Sequence, residues 1–124
     1  MLNNRQNLGR RGEDIAVEAL RKNGHTILTR NYRCRHGEID IIAKKHGVLV
    51  FIEVKTRSGE DYGHPASSIT RHKQRQISKS AQYYLAEHNL FDSHARFDVI
   101  SIVIDPVQGP LVEIIPNAFD LCEI

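Results

Sequence analysis

The chain has 124 residues, 40% hydrophobic and 26% charged, with a formal net charge of +2. That length supports one packed domain spanning residues 1–124 rather than two, and the composition is that of an ordinary globular protein, not a disordered or fibrous one. No apolar run approaches the roughly 20 residues needed to cross a bilayer, and the polar start Met1-Leu-Asn-Asn-Arg5 lacks the apolar stretch of a secretory leader, so a cytoplasmic protein without a membrane partner is expected.

The small net charge conceals an asymmetry. Residues 1–91 hold 16 of the 17 Lys and Arg but 9 of the 15 acids, a balance of +7, against −5 for residues 92–124. Basic clusters at Arg5-Arg10-Arg11, Arg30-Arg33-Arg35, Lys44-Lys45 and Arg71-Lys73-Arg75 suit a phosphate-binding surface; solvated faces of a slightly basic protein would look the same. The two cysteines, Cys34 and Cys122, form no CxxC pair, which fits incidental thiols of a reduced compartment.

In chain order, Ile15, Ala16, Ala19 and Leu20 recur at helical spacing and predict a helix from Arg10 to Asn23, stopped by Asn23-Gly24. The run from His25 to Tyr32 is rich in strand formers. A second strand starts at Gly37 and a third at Val48, joined by a turn in which Gly47 supplies a positive φ. Val48 to Ile52 is apolar at every position, so this strand belongs in the centre of a sheet. Residues 57–68 read as a loop. Thr70 caps a second helix carrying Ile77, Ala81, Tyr84 and Leu85, expected to be the longest element and to end near Asn89. Arg96 to Ile104 is a further strand, and Leu111 to Ile115 a weaker one ending at Pro116. A strand–helix–strand crossover places its strands parallel, whereas the meander before it is antiparallel. The fold class is therefore α/β, a mixed sheet of four to five strands flanked by helices in the order αβββαβ(β).

The chemistry concentrates between Gly37 and Lys55, where charged groups end two apolar runs. A carboxylate set against a hydrophobic core needs a cation or a metal beside it. Side chains alternate along a strand, so Glu53 and Lys55 share one face, as do Glu38 and Asp40, opposite Ile39 and Ile41. If the loop is the two residues His46-Gly47, Asp40 lies across from Glu53 and Glu38 across from Lys55; a three-residue loop would spoil this alignment. Two carboxylates so paired stand close enough to share one divalent ion, with the Val54 carbonyl a further ligand. Mg²⁺ or Mn²⁺ suits such oxygen donors, and Lys55 would orient a water or hold a phosphate.

Each of these residues also has a plainer reading. An isolated Glu-x-Lys is most often a surface charge pair, and Glu38 offers Lys55 a cross-strand ion pair. Glu13 in the first helix could complete the acidic set or simply complement the helix dipole. Lys73 and Gln74 could reach the site or face water, and Asp98 reads equally well as a structural acid.

Taken together, Gly9-Arg-Arg-Gly-Glu13, Asn31-Tyr32-Arg33, Gly37-Glu-Ile-Asp-Ile-Ile42, Phe51-Ile-Glu-Val-Lys-Thr-Arg57, the Arg-x-Lys-Gln start of the second helix and Arg96-Phe-Asp-Val closely resemble the YraN-type family of predicted endonucleases. The resemblance spans about residues 9–115. It implies a restriction-endonuclease-like fold, similar to that of Holliday-junction resolvases, and a divalent-metal nuclease site. By motif, Asp40, Glu53 and Lys55 would be the catalytic core, Glu13 the acid on the first helix, and Lys73 or Gln74 an auxiliary residue. Arg57, Arg11 and Arg33 would meet nucleic acid. The reading implied is a nuclease acting on DNA, branched or damaged forms included, with a homodimer suggested by the similarity to junction-cleaving enzymes. The alternatives are a nucleic-acid-binding module that keeps the fold without turnover, and a protein-interaction domain whose acids form structural ion pairs. The stretch Tyr62-Gly-His-Pro-Ala-Ser-Ser68 adds no acid for a second metal.

Overall fold

The structure is a computed structural model that describes residues 4–58 and 69–122, so the loop from Gly59 to Ser68, with the segment after Tyr62, lies outside the described residues. The elements are α1 (Asn4–Lys22), β1 (Thr26–Cys34), β2 (Gly37–Lys45), β3 (Val48–Ser58), α2 (Arg71–Glu87), β4 (Ala95–Asp105) and β5 (Gly109–Phe119). One five-stranded sheet runs β1-β2-β3-β4-β5. β3 and β4 are parallel, as expected across the α2 connection, and the other pairs are antiparallel. β3 is the central strand, in keeping with its apolar run. Neither helix is long and apolar enough to cross a membrane.

The helices cover opposite faces. Ala16, Val17 and Leu20 of α1 pack on Ile41, Val50 and Ile52. Ile77, Ala81 and Tyr84 of α2 pack on Ile42, Phe51 and Phe97. Each contact removes branched and aromatic side chains from water, the main favourable contribution to folding.

Several element ends follow from local chemistry. α1 closes in a Schellman motif: Gly24, at φ 91°, donates its N–H to Arg21, and the His25 N–H reaches back to Leu20. α2 starts at Thr70, whose hydroxyl accepts the Lys73 N–H at 3.1 Å. It ends the same way as α1, with Asn89 at φ 54° and Leu90 N–H on the Leu85 carbonyl. α2 is not the longest element, since α1 has 19 residues against its 17. α1 starts at Asn4 rather than Arg10 because Arg, Gln and Leu carry the helix through Gly9, which costs only about 1 kcal/mol. β5 runs on through Pro116 because it is an edge strand, where a residue with no N–H need leave no ladder bond unmade. Cys34 and Cys122 are free thiols.

Candidate metal and phosphate site

The β2–β3 hairpin has the expected two-residue turn. His46 and Gly47 both take positive φ, 49° and 77°, as a type I′ turn requires, and the register runs from Lys45↔Val48 to Ile41↔Ile52. One step further Asp40 would face Glu53, and there the ladder stops. The Asp40 carboxylate turns into the gap between the strands and accepts the Val54 N–H at 2.8 Å. A side chain thus replaces a backbone rung, and the two strands fork. The N–H and C=O of a strand residue point to the same side, so the Val54 carbonyl faces the same fork.

The cause lies partly in β1. Asn31 has φ 52° in mid-strand, and no register partner joins it to Asp40, although Arg30↔Ile41 and Tyr32↔Ile39 pair on either side. A left-handed residue breaks the alternation of a strand. Arg30 and Asn31 both turn to α1, while Tyr32 packs on Tyr84 of α2, ring centroids 5.3 Å apart. The β2 partners of Arg30 and Tyr32 divide in the same way: Ile39, paired with Tyr32, belongs to the α2-side cluster and Ile41, paired with Arg30, to the α1-side cluster, which corrects the expectation that they share a face.

Glu53 is 7% exposed and lies toward α2. Lys73 Nζ stands 3.8 Å from its Oε1, and its Oε2 is buried with no hydrogen-bond partner. Burial first, then the charge of Asp40, pushes the Glu53 carboxyl up to about 7. Burial likewise raises Asp40 to about 6, against the opposing pull of the Val54 N–H. Lys73 and Lys55 hold Glu53 down only in part. A cavity of about 390 Å³ opens over this fork on the α1 side, walled by Glu13, Asn31, Glu38, Asp40, Val54 and Lys55 among others.

Glu13 sits ten residues into the helix-forming segment that starts at Asn4, not in the first turn, so the dipole reading of this residue fails. Its Oε1 accepts Arg30 Nε at 3.0 Å and Asn31 Nδ2 at 2.9 Å. Gly12 brings it there. A Cβ on Gly12 would fall on Thr56 Oγ1, with Thr56 Cβ at 2.8 Å, so only glycine lets α1 approach β3 this closely. That contact was legible as a Gly-Glu pair in the motif but not as a packing requirement.

Other expected residues divide. Of the α2 pair, Lys73 reaches the site, while Gln74 Nε2 is spent on the Ile69 carbonyl at 3.0 Å. Glu38 pairs with Arg33 Nε at 3.3 Å on β1, not with Lys55, because Arg33↔Glu38 is the paired rung. Arg11 is exposed on α1, and Arg57 lies half-buried near the end of β3. Asp98 is structural: 1% exposed, it accepts Arg96 Nε at 3.1 Å and the Asn117 N–H at 3.0 Å.

The donor set at the fork is Asp40, Glu53 and the Val54 carbonyl. Among the described residues, no three His, Cys, Asp or Glu side chains gather to hold an ion by themselves. The set nevertheless fits a hard divalent cation, which takes one or two carboxylates and keeps its waters. The unpartnered Glu53 oxygen and two carboxyls that resist ionising together are what such a cation relieves.

Residues 12–102 match the Uncharacterised protein family UPF0102. A UPF0102 protein of Geobacter metallireducens is 51% identical over 116 residues, 94% of each chain. One from Desulfosudis oleivorans is 51% identical over 122 residues, 97% of this chain and 95% of its own. One from Persephonella marina is 47% identical over 113 residues, 91% and 93% of the two chains.

Proposed function

Because the chain belongs to the UPF0102 family, whose YraN-type motifs it carries, we propose that it is a divalent-metal-dependent nuclease that hydrolyses phosphodiester bonds in DNA. One observation carries the reading: the buried, unpartnered Oε2 of Glu53, whose carboxyl feels the charge of Asp40 at the β2–β3 fork. Asp40, Glu53 and the Val54 carbonyl would hold Mg²⁺ or Mn²⁺. When bound, the ion supplies positive charge to the phosphoryl oxygen and makes a nearby water more acidic.

The chain's own residues supply the rest. The Val54 N–H orients Asp40. Lys55, on the cavity wall, offers a point charge to a phosphate oxygen. Lys73 offsets part of the negative charge from the α2 side. Glu13, anchored by Arg30 and Asn31, closes the acidic side of the cavity.

The test is a cleavage screen over duplex, single-stranded, flap and four-way-junction DNA with Mg²⁺ or Mn²⁺. Cleavage should require the ion and be lost in Glu53→Gln. Cleavage that survives both Glu53→Gln and Asp40→Asn would overturn the mechanism. Salt-sensitive binding without cleavage of any substrate would instead favour the binding module.

A further inference from the structure

A second cavity adjoins the first. It measures about 320 Å³ and is lined by Arg10, Glu13, Asp14, Arg30, Asn31 and Arg33. Glu13 and Asn31 wall both cavities, so the two lie side by side across one partition. The left-handed Asn31 builds this arrangement. Regular alternation would send Arg30 and Asn31 to opposite faces, whereas here both turn to α1.

The acids of this cavity are already engaged. Asp14 Oδ1 takes Arg30 Nη2 at 2.6 Å, and Glu13 Oε1 takes Arg30 Nε and Asn31 Nδ2. These bonds pin the Arg30 guanidinium while using two of its five N–H donors. Arg33 commits its Nε to Glu38 and keeps its terminal nitrogens. Among the described residues no carboxylate lies within ion-pair distance of Arg10. The cavity therefore presents three guanidinium groups whose remaining donors are not engaged by the described residues that line it, and planar forks of this kind match phosphate oxygens.

We propose that this cavity is a subsite for the phosphate next to the scissile one on a bound nucleic-acid strand, gripped by Arg10 and Arg33 and backed by the pinned Arg30. It rests on the nucleic-acid reading above and deepens it: the substrate is a chain with a phosphate on the α1–β1 side, not a lone phosphomonoester. The partition of Glu13 and Asn31 separates the reacting phosphate from the gripped one.

The experiment is binding of a fluorescein-labelled DNA duplex, followed by anisotropy in EDTA over a KCl series. Arg10→Gln and Arg33→Gln should each reduce the slope of log K against log salt by about 1, the signature of one lost phosphate contact. Lys22→Gln, in the last turn of α1 and on neither cavity wall, should leave the slope at the wild-type value. Unchanged slopes in both arginine variants would overturn the subsite. So would an equal loss in Lys22→Gln, which marks a diffuse basic surface. The measurement needs neither metal nor turnover, so the two readings fail separately. Slopes that fall in a protein that never cleaves leave the subsite standing and remove the nuclease; cleavage with unchanged slopes does the reverse.

Discussion

Among the described residues two carboxylates, Asp98 and Glu53, are buried, and they are buried differently. Asp98, at the β4–β5 end, has Arg96 and the Asn117 N–H on its oxygens. Glu53, at the β2–β3 fork, has a lysine 3.8 Å from one oxygen and nothing on the other. A buried charge with its partners in place is part of the architecture, while one without them is held against a desolvation cost that packing does not relieve. The contrast teaches that an acid inside a core points to a ligand only when its hydrogen bonds have been left unmade.

The contrast can be broken from either side. The largest effect belongs to Asp98→Ala, which strands a guanidinium and a backbone N–H; it should cost on the order of 3 kcal/mol in urea denaturation. Gly12→Ala forces α1 off Thr56 and should cost about 1–3 kcal/mol, with Mn²⁺ affinity falling as Glu13 shifts. Glu53→Gln goes the other way: in EDTA at neutral pH it should stabilise the protein by about 1–3 kcal/mol, since it removes a charge that resists ionising. Saturating Mn²⁺ should then stabilise the wild type but not the variant, and a variant that is less stable in EDTA would remove the argument for the site.

Acid–base behaviour sharpens the same comparison. The folded pKa values of Glu53 and Asp40 lie above the ordinary carboxylate range, at about 7 and about 6. Their favourable contribution is therefore complete below about pH 4 and is lost as pH rises through 6 to 7. Metal-free stability should decline across that window, and the decline should shrink in Glu53→Gln. His25 gives the smallest effect and the opposite slope. Burial lowers its pKa, so folded protein resists its protonation and loses stability as pH falls below about 6.5. Thermal melts from pH 4 to 8 would separate the two.

Much of this was readable in the residues because it depends on local chemistry. His46-Gly47 announces its turn type, Asn23-Gly24 and Thr70 announce helix ends, and the unbroken apolar run from Val48 to Ile52 announces a central strand. The turn also set the register as far as Ile41↔Ile52. What the pattern did not show was the fork itself. Strict alternation fails where Asn31 turns left-handed; Asn is the residue of a Thr-Arg-Asn-Tyr run that tolerates this conformation, but nothing in so strand-like a run says that it will be used. Ile39 and Ile41, paired on either side of that break, likewise lie on opposite faces. Arg33 took Glu38 from Lys55 through a β1–β2 pairing that the β2–β3 arithmetic could not include. Gly12 was missed because its requirement is set by Thr56, far away in the chain.

The parallel pairing of β3 with β4 has a kinetic consequence. Its ten rungs join residues 46 positions apart, from Leu49↔Ala95 to Ser58↔Ile104. A hairpin with a two-residue turn closes quickly, whereas pairing across so long a separation must wait for loop closure. In that order of events Asp40 and Glu53 would become neighbours while still hydrated, and their desolvation would follow the docking of β4 and α2. A divalent ion captured at that hydrated stage would speed the final step. Stopped-flow refolding in Mn²⁺ against EDTA, with Glu53→Gln as the control, would time the order in which the chain assembles its charges.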